Sequence, residues 1–341
     1  QVVSFLEKKI NTPVKIEKVS LDLPKLLVLE GVYFEDQKQD TLLAGDQLKV
    51  DISLLKLLKN KVEINEIDLR GITAKIDRTL PDSSFNFDYI MRAFVSAEQE
   101  EPKPEDTTST MEFSIDRINL DRIRFVYKDD VIGTSADFNL GHLDTRIKTF
   151  DLNNMRFEIP KVNVKGINAM VKQWAVVDSS NLPSTKDIGI EQSTGPEAMM
   201  PDLQLGSLHI EDTKARYIDE TSALNTSVLF EKLLVDFNNI NLKGETVDIR
   251  RILLDGNDMK VAFGKIKQSS IAPESKSADS VDAQPIKWKV NIDDIQLNKN
   301  QISYFDANQP KVKKGMDYGN LNFTGLDVKL TNFFFSIDSI S

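Results

Sequence analysis

The sequence repeats one short pattern of alternating apolar and polar residues. Its clearest copy is RINLDRIRFVYKD (117–129), where apolar residues stand nine, seven, four and two positions before Tyr127 and an acid, Asp129, follows it. Apolar residues spaced by two lie on one face of a β-strand, and the residues between them lie on the other face. The pattern therefore predicts a strand with one apolar face.

The same frame recurs along the chain. Tyr217 and Tyr304 take the place of Tyr127 in two copies, and three further copies lack the tyrosine. The first apolar positions of successive copies lie 43 to 51 residues apart, at Ile67, Ile118, Val162, Leu208, Ile252 and Ile295. Spacing this regular predicts an array of β units of about 45 residues that stack on one another.

Each copy skips two residues between its second and third apolar positions. The skipped pairs are Arg70-Gly71, Asp121-Arg122, Lys165-Gly166, Glu211-Asp212, Asp255-Gly256 and Asn298-Lys299. A two-residue hairpin would keep all apolar residues of the frame on one face. A bulge that redirects a continuous strand would do the same, so the sequence leaves both interpretations open.

Composition limits the class of protein. The chain has 341 residues, 40% of them hydrophobic and 28% charged, which predicts a folded chain and not a disordered one. Alternating patterns prevail and helical spacing is scarce, so the fold is predicted to be mainly β. Its net charge of -10 argues against non-specific binding of nucleic acid, which needs a basic surface. It has no cysteine, which excludes disulfides and thiolate metal sites. Because it starts at Gln1 and stops at Ser341 within a strand-like pattern, we expect a fragment of a longer protein.

Two short segments have helical spacing. Residues 2–10 form an amphipathic pattern that ends before Pro13. Residues 83–94 place four apolar side chains on one helical face, namely Phe87, Ile90, Met91 and Phe94. Polar segments rich in Pro, Ser and Glu at 96–110, 178–201 and 268–285 are predicted to be solvated loops, one for each pair of units.

Nothing in the sequence predicts catalysis. The two histidines, His142 and His209, both stand in alternating strand patterns and are expected on the polar side or at a rim. Carboxylates with metal-ligand spacing, a complete calcium loop, a G-x-S-x-G motif and a phosphate loop are all missing from the sequence. We therefore predict a protein that is not an enzyme and that has no metal or other cofactor.

The first part of the chain resembles a known family. Residues 12–76, followed by DSSFNFDYIMRAF (82–94), are similar to the N-terminal region of the AsmA-like family, most closely to its TamB-type translocation and assembly module branch. The phrases that carry the resemblance are VYFEDQ…DTLLA, INEIDLRG and FNFDYI. It is specific over residues 1–95, which form one predicted segment, and becomes a generic β-repeat over 111–341.

The resemblance implies a fold and a location. It implies an elongated, repetitive β-sheet curved into a U-shaped, taco-like apolar groove, with the short helices at its N-terminal end. It also implies a periplasmic portion of a protein of the Gram-negative cell envelope, anchored in the inner membrane by a helix upstream of this sequence. Members of the family are thought to carry phospholipid between the two membranes and are similar to bridge-like lipid transfer proteins. TamB-type members also pair with an outer-membrane barrel of the Omp85 class, through a C-terminal domain outside these residues.

A lipid groove is the first hypothesis. Its predicted lining is Ile67, Leu69, Ile118, Leu120, Ile123, Phe125, Val162, Val164, Ile167, Val171, Leu208, Ile210, Ile252, Leu254, Ile295 and Leu297. The pattern alone favours a closed core against a second sheet, since apolar sheet faces are usually covered. The constant spacing, the shortage of helices and the family resemblance favour an open groove.

Other interpretations stay open at this point. Tyr127, Tyr217 and Tyr304 suit a groove rim, where the ring is buried and the hydroxyl is wet, although β-propensity alone also explains them. The helix at 83–94 is expected to cap the end of the groove, and a gating role is the alternative. A scaffold or chaperone for outer-membrane β-proteins, which accepts client strands at exposed sheet edges, is the alternative function.

Overall fold

The structure is a computed structural model. It describes residues 2–22, 26–53, 61–80, 83–95, 112–176, 200–265, 288–336 and 339–340. The predicted loops at 96–110 and 268–285 lie outside the described residues, as does the predicted loop at 178–201 except for its last two residues.

The described residues form one curved, mixed sheet of 17 strands with two short helices near its N-terminal end. The prediction of a mainly β protein with a U-shaped apolar groove is confirmed. The helices are α1 (Val2–Ile10) and α2 (Asp88–Val95). The first strands are β1 (Val14–Asp22), β2 (Leu26–Glu35), β3 (Thr41–Ile52), β4 (Lys61–Arg70), β5 (Thr73–Arg78), β6 (Glu112–Ile115), β7 (Arg117–Asp129), β8 (Thr134–Arg146) and β9 (Thr149–Asp151). The remaining strands are β10 (Arg156–Gln173), β11 (Asp202–Asp219), β12 (Leu224–Asn241), β13 (Thr246–Asp255), β14 (Asp258–Phe263), β15 (Lys289–Asp306), β16 (Asn320–Ser336) and β17 (Ser339–Ile340).

Strands pair with their neighbours in chain order. Strands β7, β8 and β10 form an antiparallel group, as do β11, β12 and the in-line pair β13 and β14. Consecutive groups join through parallel pairs, β4 and β5 with β7, β10 with β11, and β13 and β14 with β15. In the described residues β1 pairs only with β2, and β16 pairs only with β15 and the two-residue β17, so the sheet does not close into a barrel.

The repeat frame fixes the strand register. Val162 pairs with Leu208 and Val164 with Ile210, so the parallel register between β10 and β11 equals the spacing of those two copies. The same holds between β13 and β15, where Ile252 pairs with Ile295. Each position of the frame therefore forms a row that runs across the strands. We number these rows 1 to 5, from the position nine residues before the tyrosine to the tyrosine itself.

The skipped residues lie at a bend in each strand, which we call the crease. In every copy the second skipped residue has a positive φ, for example 53° at Arg122 and 75° at Gly166. The chain continues in the same direction past this residue, so the hairpin interpretation is wrong and a redirected strand is correct. Neighbouring strands carry the extra residue at the same level, so pairing keeps its register on both sides, as it does for Leu120 with Leu143 and Ile123 with Leu140. A single bulge, in contrast, would set two residues against one.

The acid after the tyrosine builds a tight turn. The Asp129 carboxylate accepts hydrogen bonds from the backbone N–H of Val131 (2.9 Å) and Ile132 (3.2 Å). Asp219 accepts one from the N–H of Thr221 (2.8 Å), and Asp306 one from the N–H of Asn308 (2.9 Å). An aspartate that bonds to the backbone two residues on is a common device for reversing a chain. The strands β7, β11 and β15 run in the same direction, so all three turns lie at the same end of the strands.

The two helices pack over the first strands, and the one predicted over 2–10 is confirmed, whereas the one predicted over 83–94 begins only at Asp88, so Phe87 precedes it. Ile10 of α1 and Tyr89 of α2 form a buried cluster with Val14 and Leu42, and Phe34, Phe87 and Ile90 pack against it. Met91 is 56% exposed, so its predicted place on the packed face is wrong. Tyr89 takes that place, and its hydroxyl donates a hydrogen bond to the Glu35 carbonyl at 2.6 Å. Phe94 lies in α2, but its side chain lies outside the described residues.

Candidate functional site

Row 2 forms an uninterrupted aliphatic line across the sheet. Directly paired residues of neighbouring strands project to the same face. Row 2 consists of Val19, Leu29, Leu48, Leu69, Leu120, Leu143, Val164, Ile210, Leu233, Leu254, Leu297 and Val328. At about 4.8 Å per strand this line is roughly 50 Å long.

Two further rows extend this face on either side. Row 1 runs from Leu21 to Leu330 through Ile67, Ile118, Val162, Leu208, Ile252 and Ile295, and its one polar residue is Thr145. The Thr145 hydroxyl is satisfied, because it donates to the Lys161 carbonyl at 2.8 Å. Row 4, beyond the crease, is apolar throughout from Val14 to Phe323, and includes Phe125 and Phe138.

All sixteen predicted groove residues lie on this one face, and each of them is half-buried. A closed core would bury such side chains almost completely. Every strand-to-strand contact among the described elements is between neighbours in the sheet, and the described elements that pack over this face are the helices α1 and α2, at its first strands. Among the described residues the apolar face is therefore the inner surface of a groove that no second sheet closes.

The opposite face of the sheet is polar. Ion pairs join its strands, such as Arg124 with Asp137 (2.7 Å) and Lys172 with Glu220 (2.7 Å). His209 lies there in register with Asn163, and the pKa of its imidazole is lowered, mainly because partial burial disfavours the charged form. His142, at the crease, has its Nδ1 2.7 Å from Asp121. His209 is thus on the polar side, as predicted, whereas His142 lies at the crease and not at a rim.

Row 3, directly after the crease, is the most buried part of the inner face. Its buried members in the strands before β11 are Val32, Ile72 and Leu140, with exposed fractions of 3%, 8% and 6%. From β11 onward the buried members are polar, namely Thr213, Asn257 and Asn300. Thr213 Oγ1 and Asn300 Oδ1 are buried without a hydrogen-bond partner among the described residues, although Asn300 Nδ2 donates to the Leu326 carbonyl at 3.2 Å. The buried positions of the crease row thus change from aliphatic to polar along the array, whereas the half-buried Phe230 and Leu326 keep the row apolar in β12 and β16.

The three repeated tyrosines lie in row 5, next to the turns that border the groove. The Tyr127 hydroxyl donates to Asp129 Oδ2 at 2.7 Å, and the pKa of this phenol is raised, first by burial and then by the neighbouring carboxylate. The Tyr217 hydroxyl bonds to the Gln173 side chain. The Tyr304 ring packs edge-on against Phe263, with centroids 6.1 Å apart. Each ring thus lies in the row next to the turns, and the role of these tyrosines as a groove rim stays a prediction.

A buried ion pair joins the first two units at this rim. Arg78 Nη2 lies 2.6 Å from Asp129 Oδ2, the Asp129 side chain is fully buried, and the Phe85 ring stacks over the guanidinium at 4.7 Å. Burial alone would raise the pKa of Asp129, but hydrogen bonds from Arg78, Tyr127 and the Ile132 N–H hold that pKa below its ordinary value. The repeat pattern indicated Asp129 but not Arg78, which ends β5 and pairs with Asp129 in the parallel register.

Neither a family model nor a curated protein matches this chain in sequence. The resemblance of residues 1–95 to the AsmA-like family therefore stays a prediction. No helix in the described part of the chain is long and apolar enough to cross a membrane. The described residues also contain no cluster of three or more His, Cys, Asp or Glu side chains that could hold a metal ion.

Proposed function

We propose that this chain is a segment of a bridge-like lipid transport protein and that its groove binds the acyl chains of phospholipids. The observation that carries this proposal is the aliphatic row 2, which crosses the sheet on a face that no second sheet covers among the described residues. A methylene group leaving water gains about 0.8 kcal/mol. A continuous apolar line lets a lipid move along the array without repeated exposure of its tail to water.

The proposed setting follows from the resemblance of residues 1–95. In it, the chain is the periplasmic part of an AsmA-like protein of a Gram-negative envelope, anchored in the inner membrane upstream of Gln1. It carries phospholipid between the inner and outer membranes and so contributes to outer-membrane biogenesis, and its outer-membrane partner is a barrel of the Omp85 class. In this proposal the protein is not an enzyme and needs no cofactor.

A pair of adjacent variants tests lipid binding. Ile210→Asp places a charge on row 2, whereas His209→Asp places the same charge on the polar face one residue away. A charge in a hydrocarbon environment costs about 3 kcal/mol, so we expect Ile210→Asp to lower phospholipid affinity about a hundredfold and His209→Asp to leave it unchanged. Phospholipid bound to the purified, delipidated and reloaded protein is measured by native mass spectrometry, and circular dichroism checks the fold. Equal lipid content in both variants would contradict the proposal.

The exposed sheet edge supports a second candidate function. The outer edge of β1 has no strand partner among the described residues, and Val19 and Leu21 on this strand are 54% and 62% exposed. An unpaired apolar edge can accept a client strand by β-augmentation, which is how a chaperone for outer-membrane β-proteins would act. These two residues also belong to rows 2 and 1, so photocrosslinkers at both positions distinguish the candidates by the kind of adduct: a chaperone yields protein adducts there, and a lipid conduit yields lipid adducts.

A further inference from the structure

The three turns along the tyrosine rim differ in length. The connections after β7 and β11 occupy only residues 130–133 and 220–223, whereas the connection after β15 occupies residues 307–319. All three follow a capping aspartate at the same point of the repeat. Four residues are thus enough to reverse the chain here, and the longer third connection, which we call the rim loop, is an addition to the repeat.

The base of the rim loop is firmly held. Asn308 Nδ2 donates to the Gly264 carbonyl at 3.0 Å, and the Asp306 N–H donates to the Gly319 carbonyl at 2.8 Å. On the far side, the Gly319 N–H donates to Asp317 Oδ1 at 3.1 Å. The part of the loop between these anchors, residues 309–316, is exposed throughout. The loop is therefore presented to the surroundings on a fixed base.

The exposed part combines positive charge with large apolar side chains. Lys311, Lys313 and Lys314 are all exposed, in a chain whose net charge is -10. Val312 stands between the lysines, Met316 and Tyr318 follow them on either side of Asp317, and the three apolar side chains are 45%, 64% and 71% exposed. The Asp317 carboxylate faces the base of the loop, where it accepts the hydrogen bond from the Gly319 N–H. A cluster of lysines next to exposed apolar and aromatic side chains is typical of segments that lie in the headgroup region of a bilayer.

We propose that the rim loop binds the surface of an anionic lipid bilayer. The three lysines attract the negatively charged headgroups, and Met316 and Tyr318 enter the boundary between headgroups and acyl chains. A bilayer fits this surface better than a protein does, because a stable protein interface buries well over about 1,000 Å² and a single short loop cannot supply its share. The rim loop lies outside the inner face, so its binding to a bilayer does not depend on the groove carrying lipid.

Vesicle sedimentation tests the electrostatic part. The protein is mixed with vesicles of phosphatidylcholine alone or of phosphatidylcholine with phosphatidylglycerol. We expect binding only to the anionic vesicles, with a loss as salt is raised. Replacing Lys311, Lys313 and Lys314 with Glu is expected to weaken binding at least about a hundredfold, at about fivefold or more for each lysine. The matched control replaces three other exposed lysines, Lys214, Lys232 and Lys243, with Glu and is expected to bind as the unchanged protein does.

Equal binding by both triple variants, or equal binding to both kinds of vesicle, would overturn the proposal. So would binding to an acidic polypeptide such as poly-glutamate in the absence of binding to anionic vesicles.

A single fluorescent label tests the insertion. Because the chain has no cysteine, Met316→Cys and the control Met170→Cys can each carry one environment-sensitive dye. Met170 is also exposed but lies on the polar outer face, far from the rim loop in the register. We expect anionic vesicles to shift the emission of the dye at position 316 to shorter wavelength and to leave the dye at 170 unchanged. If the labelled protein sediments with the vesicles but the emission of the dye at position 316 does not change, another surface binds the vesicle and the proposal is overturned. Groove lipid content, measured in the same proteins, distinguishes this failure from a failure of the proposed lipid transport.

Discussion

The two halves of the groove share a backbone but differ in the chemistry of the crease row. In strands β2 to β10 the buried residues of that row are aliphatic, as at Ile72 and Leu140, whereas in β11 to β16 they are Thr213, Asn257 and Asn300. A residue with positive φ precedes the row in both halves, for example Gly71 and Asp212. The backbone bend therefore does not need an apolar residue after it. Rows 1, 2 and 4 make the groove apolar in both halves. The buried residues of the crease row differ in polarity between the halves.

The halves also differ in how their turns are attached. The residue paired with the capping aspartate from the preceding strand is Arg78 at Asp129, but Gln173 at Asp219 and Phe263 at Asp306. Only the first of these three neighbours can form an ion pair. The Arg78–Asp129 ion pair thus attaches the first turn to the unit before it, and we call this pair the lock. Phe85, in the segment that leads to α2, stacks on Arg78 and is therefore attached to the same pair.

The largest expected effect breaks this lock. Asp129→Ala leaves Arg78 buried without a partner, and the loss of one member of a buried ion pair costs about 3 kcal/mol or more of unfolding free energy. Asp219→Ala removes an exposed turn cap and is expected to cost much less. Urea denaturation measures both. Equal losses would show that the two turns are attached with similar strength and would contradict the comparison.

Acid should weaken the attachment of the first turn through the same group. The pKa of Asp129 in the folded protein is lower than its value of about 3.9 in an unfolded chain. Its contribution to stability is therefore complete above that value and is lost as the pH falls through the folded pKa. The protection of the Val131 amide, its exchange rate relative to the intrinsic rate at the same pH, is expected to fall on acidification, and this fall should be absent in Asp129→Asn, which already lacks the charge.

Exchanging polar for apolar residues in the crease row, and the reverse, should change the free energy of unfolding by smaller amounts and in opposite directions. Thr213→Val removes a buried hydroxyl that has no partner among the described residues, so we expect a gain of about 1 kcal/mol. Ile72→Thr does the reverse in the first half, and the buried hydroxyl together with the lost methylene should cost about 2 kcal/mol. Thermal unfolding of both variants tests the signs. A loss of stability in Thr213→Val would show that its hydroxyl has a partner that stabilises the groove.

The smallest effects compare the crease itself in the two halves. A methyl group added at Gly166 would meet no atom closer than 3.4 Å, so Gly166→Ala tests only the positive φ and should cost about 1 kcal/mol. Lys299 already has such a φ, and Lys299→Gly should gain about 0.5 kcal/mol, since glycine relieves the strain but loses more entropy. Urea denaturation of both variants measures these changes. Changes in the opposite directions would show that the crease has different backbone requirements in the two halves.

Much of the groove could be predicted from the sequence, because the spacing of apolar residues along the chain directly shows which residues share a strand face and how long each repeat is. All sixteen lining residues come from that frame. The paired residues of the intervening strands, such as Leu143 and Leu233, belong to the same row but lack the frame, and only their alternating runs pointed to them. Thr213, Asn257 and Asn300 occupy frame positions, and three polar residues at one position could have signalled the polar crease.

The remaining features depend on contacts between distant parts of the chain. A hairpin and a creased strand give the same alternation, and only pairing with neighbours that carry the same extra residue separates them. In α2, helical spacing allows either Met91 or Tyr89 to face the sheet, and the hydrogen bond from Tyr89 to Glu35 favours Tyr89. Arg78 and Asp129 are 51 residues apart in the sequence. They meet because β5 and β7 pair in a parallel register, and the residue pattern alone does not predict that register.

Site-specific photocrosslinking along row 2 tests the central claim most directly. A crosslinking amino acid is placed in turn at Leu69, Leu120, Val164, Ile210, Leu254 and Leu297, and at the outer-face neighbours Asn119, Asn163, His209 and Gln296. We expect phospholipid adducts at every inner position, in both halves of the groove, and none at the outer positions. Adducts confined to one unit, or equally abundant on both faces, would contradict a continuous lipid-binding groove.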